Sequence, residues 1–189
     1  FKIYPALGYY PFDPLLLPLW KYAEQKQIPI LTHCVRGPMY YRGSKKPEWD
    51  THPVFKQTTT TGVNAQLLLP ETKNEEFTAN FTHPMNFLCL LEKEWLRKLV
   101  NQAYKKTKDE KLIKIFGLTP SEDDEKATIS TGLWNLKICL GHYGGNDEWK
   151  RYFELDRSNY SNELAQNPFT GIDFLYLKNK TAPTLSPGK

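Results

Sequence analysis

The chain has 189 residues, of which 40% are hydrophobic and 24% are charged, and its net charge is +4. This composition excludes disorder throughout, because it supplies enough apolar side chains for a packed core. The excess of Lys and Arg over Asp and Glu is spread along the sequence, which argues against a dedicated nucleic-acid-binding protein. No run of 18 apolar residues occurs, so no membrane span is predicted.

The first 34 residues predict a strand, a helix and a second strand. Residues 1–6 have a strand-like apolar pattern, and the Pro11-Phe12-Asp13-Pro14 turn can start a helix that ends near Gln27. Residues 28–34 are predicted to form the next buried strand. The predicted helix has apolar residues at helical spacing, namely Leu16, Leu17, Trp20 and Ala23.

Residues 43–84 are predicted to form a long irregular segment. They contain a threonine run and two Thr-His-Pro copies, at His52 and His83, which are too little for a metal motif. We expect both histidines to be structural.

The next predicted helix runs from residue 85 to 106, with its charged side chains facing water. Its apolar side comprises Phe87, Leu88, Leu91, Trp95, Leu99 and Tyr104. Residues 107–130 are predicted to be a solvated charged surface, interrupted by a short helix within 112–118. Residues 136–142 again predict a strand, residues 172–177 predict a strand or a loop, and residues 181–189 have a loop composition.

Three of the predicted strands contain or end at a candidate metal ligand, namely Lys2, His33 or His142. A lone histidine at a strand end is more often a hydrogen-bonded core residue than a ligand, so the residues alone leave both roles open. Gly144-Gly145 lets the chain turn tightly after His142. A lysine binds metal only as a carbamate, which can bridge two cations; the alternative for Lys2 is an ordinary ion-paired amine.

The strings FKIYPALGYYPFD, PILTHC and LKICLGHYGG resemble the amidohydrolase superfamily of metal-dependent hydrolases, and Lys-x-Tyr-Pro-Ala is similar to the dihydroorotase version of the fourth barrel strand. The resemblance covers about residues 1–42 and 134–150. It implies a fold that is part of a (β/α)8 barrel, with Lys2 after strand 4, His33 after strand 5 and His142 after strand 6. Residues 43–84 would then be an insertion, expected to form a cap over the barrel mouth and to set substrate choice.

The family's remaining ligands have no match in this sequence. Its His-x-His pair is absent, and the Asp that acts as general base after strand 8 is not matched by Asp147 or Asp173. A complete barrel needs about 250 residues. We therefore expect the chain to be the middle of a barrel that pairs with the remainder of the same polypeptide, and to bind metal only weakly when isolated.

The resemblance implies zinc, or manganese, and a metal-activated water that attacks an amide, a lactone or a related bond of a small-molecule substrate. Arg36 could bind a substrate carboxylate or phosphate, with Tyr40 and Tyr41 beside it. Weaker candidates for the same mouth are Tyr9, Tyr10 and Arg42, and any of these side chains could equally anchor a loop.

Two alternatives remain open: a metal-dependent decarboxylase of the same branch, and a catalytically inactive barrel that serves as an interaction or sensor domain. The three cysteines, Cys34, Cys89 and Cys139, show no zinc-ribbon spacing and favour a reducing, cytoplasmic setting without a membrane. Homo-oligomerisation is left open.

Overall fold

The computed structural model describes residues 1–35, 39–58, 64–68, 81–82 and 84–142. Short 3-10 helices at Pro5–Leu7, Pro14–Leu16, Pro47–Trp49 and Pro84–Phe87 connect the main elements. In chain order those elements are β1 (Lys2–Ile3), α1 (Leu17–Gln25), β2 (Ile30–His33), β3 (Thr51–Thr58), β4 (Asn64–Leu68), α2 (Leu88–Leu91), α3 (Lys93–Thr107), α4 (Glu110–Phe116), β5 (Leu118–Thr119), β6 (Thr128–Ile129) and β7 (Ile138–Gly141).

A three-stranded parallel sheet brings the two ends of the described chain together. The strand order is β1-β2-β7. Lys2 pairs with Leu31, Leu31 pairs with Cys139, and His33 pairs with Gly141. The carboxyl ends of all three strands therefore lie at the same edge of the sheet.

The two faces of this sheet have different environments. One face packs against the core, with Ile30 and Thr32 buried in β2 and Ile138 half-buried in β7. Because side chains alternate along a strand, the opposite face carries Lys2, Leu31 and Cys139, which are all exposed. The candidate site residue Lys2 therefore lies on the exposed face of the sheet.

Helix α1 connects β1 to β2 and anchors the buried face. Asp13 accepts a hydrogen bond from the backbone N–H of Leu15, which caps the turn that leads into the helix. Leu17 and Trp20 are fully buried, and the Trp20 indole donates to the Pro11 carbonyl at 2.8 Å. The predicted strand–helix–strand unit is confirmed, with β1 shorter than predicted because Pro5–Leu7 is a 3-10 turn.

The prediction of an irregular segment at 43–84 was wrong in part. Strands β3 and β4 pair antiparallel, with a register shift between Thr51 and Lys56. Pro53 and the polar composition masked this strand pair, because proline interrupts a strand pattern. Trp49, Val54 and Phe81 of the same segment lie in the core. A position over the strand ends stays a prediction.

The single helix predicted from residue 85 to 106 is interrupted. Glu92 adopts an extended conformation between α2 and α3. The break changes which positions face the core, so that Leu91 is 38% exposed while Leu96 and Val100 are buried. Arg97 is only 7% exposed, which corrects the expectation that the charged residues of this helix face water.

The acidic stretch after α4 is mostly exposed, as predicted, but it also forms ion pairs with α3. Asp124 forms an ion pair with Lys105 at 2.8 Å, and its carboxylate also accepts from the Asn101 amide at 2.7 Å. Glu125 pairs with Arg97 at 3.1 Å. Helix α4 confirms the short helix predicted in this region.

The described elements make a mixed α/β fold with one parallel sheet and two antiparallel strand pairs. The (β/α)8 barrel stays a prediction, since three parallel strands do not establish closure. Residues 172–177, predicted as strand or loop, lie outside the described residues. None of the helices in the described ranges is long and apolar enough to cross a membrane.

Candidate functional site

The ends of the parallel strands bring together residues that are distant in sequence. His33 is the last residue of β2, and His142 directly follows β7. Lys2 lies in β1, about 7 Å below the level of His33, since it pairs with Leu31 and each strand residue rises about 3.3 Å. Tyr4 follows β1 on the same face as Lys2.

These four side chains form a continuous set of contacts, here called the strand-end cluster. The ring centres of His33 and His142 lie 4.5 Å apart, with the planes at 68°. The Tyr4 ring stacks on His33 at 5.1 Å, and the Lys2 ammonium lies 4.9 Å from the Tyr4 ring centre. Tyr4 therefore contacts both the Lys2 amine and the His33 ring.

The backbone at the end of β7 fixes the position of His142. A Cβ on Gly141 would lie 2.7 Å from the Thr32 carbonyl oxygen, so only glycine allows this close approach. The Cys34 N–H donates to the Gly141 carbonyl at 2.9 Å. His142 then adopts a left-handed conformation with φ of 63°, which is uncommon for a residue with a side chain.

The electrostatic environment favours a neutral imidazole at His33. Partial burial lowers the pKa of His33, and the neighbouring His142 and Lys2 lower it further because both add positive charge. A neutral imidazole has a free lone pair, which is the form that binds a metal ion.

The two cysteines near the cluster differ in what they can offer. Burial raises the pKa of Cys34 to about 12, although its hydrogen bond to Thr32 opposes the rise. Cys34 is therefore a thiol at neutral pH and not a thiolate ligand. Cys139 is exposed on the face that carries Lys2.

The donor set fits part of a metal site. Two imidazole nitrogens bound to one zinc ion lie within about 4 Å of each other, a spacing that rings 4.5 Å apart can reach. Across the described residues no group of three or more His, Cys, Asp or Glu side chains could hold a metal ion. His33 and His142 are therefore only two candidate ligands, and Lys2 could be a third only as a carbamate.

Tyr40 and Tyr41, which were also predicted to contact substrate, make contacts outside the strand-end cluster. Tyr41 is half-buried, with its ring 5.1 Å from Trp49 and its N–H donating to the Ala6 carbonyl at 2.7 Å. Tyr40 is half-buried with the Arg42 guanidinium 5.1 Å from its ring. Arg36 lies outside the described residues. Tyr41 thus packs against Trp49, and the substrate roles of Arg36, Tyr40 and Tyr41 stay predictions.

Tyr9 and Tyr10, the weaker candidates, have opposite environments. Tyr9 is 53% exposed and Tyr10 is 1% exposed. Tyr10 stacks on Phe12 at 4.4 Å and lies edge-on to Phe81 at 3.6 Å.

His52 has the environment of a structural histidine, as expected. It is fully buried, and its Nδ1 accepts a hydrogen bond from the Val54 N–H at 3.1 Å. Its Nε2 lies 4.0 Å from the Cys89 sulfur, and burial lowers the pKa of His52 to about 3. His83, Asp147 and Asp173 lie outside the described residues.

Tyr4 was not singled out from the sequence. It lies two residues after Lys2, and the alternation of side chains along a strand places both on one face. That spacing was the signal that could have found it.

We compared the chain with protein-family models, with curated proteins and with solved structures, and found no match in any of the three.

Proposed function

We propose that this chain supplies strands 4 to 6 of an amidohydrolase-type (β/α)8 barrel and that it belongs to a metal-dependent hydrolase. One observation carries the proposal: Lys2 lies in β1, His33 ends β2 and His142 follows β7, and these three parallel strands pair in the order the family requires. Side chains at the carboxyl ends of barrel strands are where such enzymes place their chemistry.

The contacts of the cluster support this assignment. Two histidine rings lie side by side with no carboxylate between them in the described chain, and the surroundings of His33 lower its pKa. Two structural histidines in a core would each be expected to have a hydrogen-bonding partner, as His52 has. For His33 and His142 the described contacts are instead ring contacts.

Each residue of the cluster has a distinct role in the proposal. His33 and His142 bind the metal through neutral imidazole nitrogens. Tyr4 stacks on His33 and holds its ring in one orientation. Lys2 acts either as a carbamate ligand or as a positive charge that attracts an anionic substrate. A bound divalent ion would lower the pKa of a coordinated water and polarise the scissile bond of an amide or lactone.

Metal binding by the 189-residue chain tests the proposal without an activity assay. We expect weak binding of Co²⁺, followed by its visible absorption, and loss of that binding in both His33→Asn and His142→Asn. Cys139→Ser is the matched control, because Cys139 is an exposed potential ligand on the same face of the sheet. It should leave both the absorption and the affinity unchanged.

Two further results would decide the details. Tighter binding in the presence of bicarbonate, lost in Lys2→Met, would support a carbamate; no effect of bicarbonate would support the ammonium. Co²⁺ binding that persists in both histidine variants, or no binding by the folded chain, would contradict the proposed metal site.

A further inference from the structure

A cavity lies apart from the strand-end cluster. Its volume is about 400 Å³, and it lies where the turn before α1, the segment that leads into β3 and helix α3 meet. Lys2, Tyr4, His33 and His142 do not line it. Its size is within the range of about 300–1,000 Å³ that is typical of small-molecule sites.

The wall of this cavity includes apolar surface that a ligand can reach. Leu15 lines it and is 79% exposed, more than any other large apolar side chain in the described part of the chain. Pro14 and Pro53 are half-buried on the same wall, and Trp49 is buried behind them. A ligand that covers Leu15 removes apolar surface from water, which is favourable.

Charged side chains of both signs lie on the same wall. Lys46 and Lys106 contribute ammonium groups, Glu48 contributes a carboxylate, and all three residues are exposed. The Lys106 ammonium lies 3.9 Å from the Glu48 carboxylate, which is long for an ion pair. The Lys46 ammonium lies 5.2 Å from the Trp49 ring centre. Because exposed contacts of this kind contribute little to stability, these groups can turn to a ligand at small cost.

The other polar side chains of the wall already make hydrogen bonds within the protein. The Asp13 carboxylate, for example, accepts from the Leu15 N–H at 2.9 Å. The remaining members of this set are Thr51, Gln66, Gln102 and Thr107. With Asp13 included, two carboxylates balance two ammonium groups on the wall. A ligand without net charge therefore matches this wall better than an anion or a cation.

We propose that this cavity binds a free amino acid with a large apolar side chain. The ammonium of the ligand pairs with Glu48, and its carboxylate pairs with Lys46 and Lys106. Its side chain covers Leu15. A zwitterion carries both signs of charge without net charge, which is what the wall presents, and the apolar side chain adds the favourable burial. This site needs no metal and is independent of the proposed hydrolase function.

Three probes with the same phenyl ring separate the two charges. They are L-phenylalanine, phenethylamine, which lacks the carboxylate, and 3-phenylpropionate, which lacks the ammonium. Binding is measured by isothermal titration calorimetry on the full chain with a chelator present, so that the strand-end histidines hold no metal. We expect one site per chain, with each singly charged probe binding about threefold more weakly than L-phenylalanine.

Substitutions of the charged residues should act oppositely on the two singly charged probes. Glu48→Gln should weaken L-phenylalanine and phenethylamine about threefold without weakening 3-phenylpropionate, since only the ammonium loses its partner. Lys106→Met should weaken L-phenylalanine and 3-phenylpropionate about threefold without weakening phenethylamine. Glu122→Gln and Lys126→Met remove the same charges from exposed positions outside the cavity and should change no affinity.

The apolar contact has a test of its own. Leu15→Ala should weaken all three probes about threefold, because less apolar surface is buried on binding. Leu15 is exposed, so the variant should keep its fold. Leu91→Ala is the matched control, because Leu91 is an exposed leucine outside the cavity, and it should change no affinity.

Equal affinity for the three probes would show that the cavity recognises only the phenyl ring and would overturn the proposal. Absence of saturable binding at millimolar probe would overturn it too. So would binding that Glu48→Gln, Lys106→Met and Leu15→Ala all leave unchanged, because the ligand would then lie elsewhere on the protein.

Discussion

The ring centres of His33 and His142 lie 4.5 Å apart at the carboxyl end of the parallel sheet. Their proximity follows from the pairing of His33 with Gly141, which sets His142 one residue beyond its neighbour on the adjacent strand. The separation thus depends on the register between β2 and β7. A change in that register would move one ring away from the other.

Gly141→Ala should distort this junction. The added Cβ would lie 2.7 Å from the Thr32 carbonyl oxygen, a backbone atom that cannot move without shifting β2. We expect a loss of about 1–3 kcal/mol in the free energy of unfolding, as for other overpacked sites, together with weaker Co²⁺ binding. Urea denaturation measures the first and the cobalt absorption the second.

Gly132→Ala is the matched control for that substitution. Its Cβ would meet the Trp134 side chain, which is 51% exposed and can rotate away. We expect a smaller loss of stability and unchanged metal binding. Equal losses in the two variants would show that backbone contact at Gly141 has no special importance.

The second prediction concerns the pKa of His33, which depends on the charges around it. Lys2→Met and His142→Asn each remove a group that lowers the pKa of His33, so each should raise that pKa in metal-free protein. Two-dimensional NMR of the imidazole nitrogens against pH measures it directly. As a control, Lys26→Met removes an exposed lysine after α1 and should leave the pKa of His33 unchanged. An unchanged pKa of His33 in both Lys2→Met and His142→Asn would show that these charges do not lie close to His33.

A third prediction concerns acid stability and His52. The pKa of His52 is lowered to about 3 by burial, whereas an unfolded histidine titrates near 6.5. The unfolded chain therefore binds a proton first, and the stability from the neutral buried ring is present above about pH 6.5 and lost as the pH falls toward 3. We expect the free energy of unfolding to decline steadily across this range.

His52→Asn isolates the contribution of that histidine. The variant should be less stable at pH 7, since a core ring that contacts Phe12 is removed, but its stability should depend less steeply on pH. The difference in slope should approach about 1.4 kcal/mol per pH unit, the value for one proton. Parallel pH profiles, measured by urea denaturation from pH 7 to 4, would show that another group controls the acid transition.

The fourth prediction concerns Arg97, which ties α3 to the acidic stretch after α4. Its guanidinium donates to the carboxylates of Glu94 and Glu125 and to the backbone carbonyls of Asp124 and Ala127. Arg97→Met keeps most of the apolar stem but leaves these acceptors without their donor. We expect a loss of about 2–4 kcal/mol in the free energy of unfolding.

Lys126→Met is the comparison for Arg97. Its pair with Asp123 is 3.8 Å long and its side chain is 78% exposed, so water replaces the interaction. The loss should be below about 0.5 kcal/mol. Urea denaturation measures both losses. A similar loss of stability in the two variants would mean that the buried ion pairs of Arg97 stabilise the fold no more than the exposed pair of Lys126.

Local pattern was enough to predict several elements and the position of two candidate ligands at strand ends. The apolar run that ends at His33 and the run that ends at His142 predict buried strands, because a strand covered on one face by a core needs apolar residues there. The spacing of Leu17 and Trp20 predicts α1, since a helix repeats every 3.6 residues. These features are encoded by residues that are close together in the chain, so the sequence is enough to predict them.

Features that depend on distant contacts could not be predicted in this way. Glu92 interrupts a helix pattern that looks continuous, and Arg97 is buried because the acidic stretch after α4 supplies its partners. Neither the break nor the burial has a local signature. Tyr4 likewise became part of the cluster only when β1 paired with β2.

The sequence by itself determined that His33 and His142 each follow a strand and that Lys2 lies within one, because hydrophobic periodicity encodes local structure. The tertiary structure alone decided that the three strands pair as β1-β2-β7, so that the two imidazoles meet and Tyr4 contacts both His33 and Lys2. It also decided that Tyr10 would be buried with an unpartnered hydroxyl. Strand order and burial arise from packing between segments far apart in the chain, and no single segment carries that information.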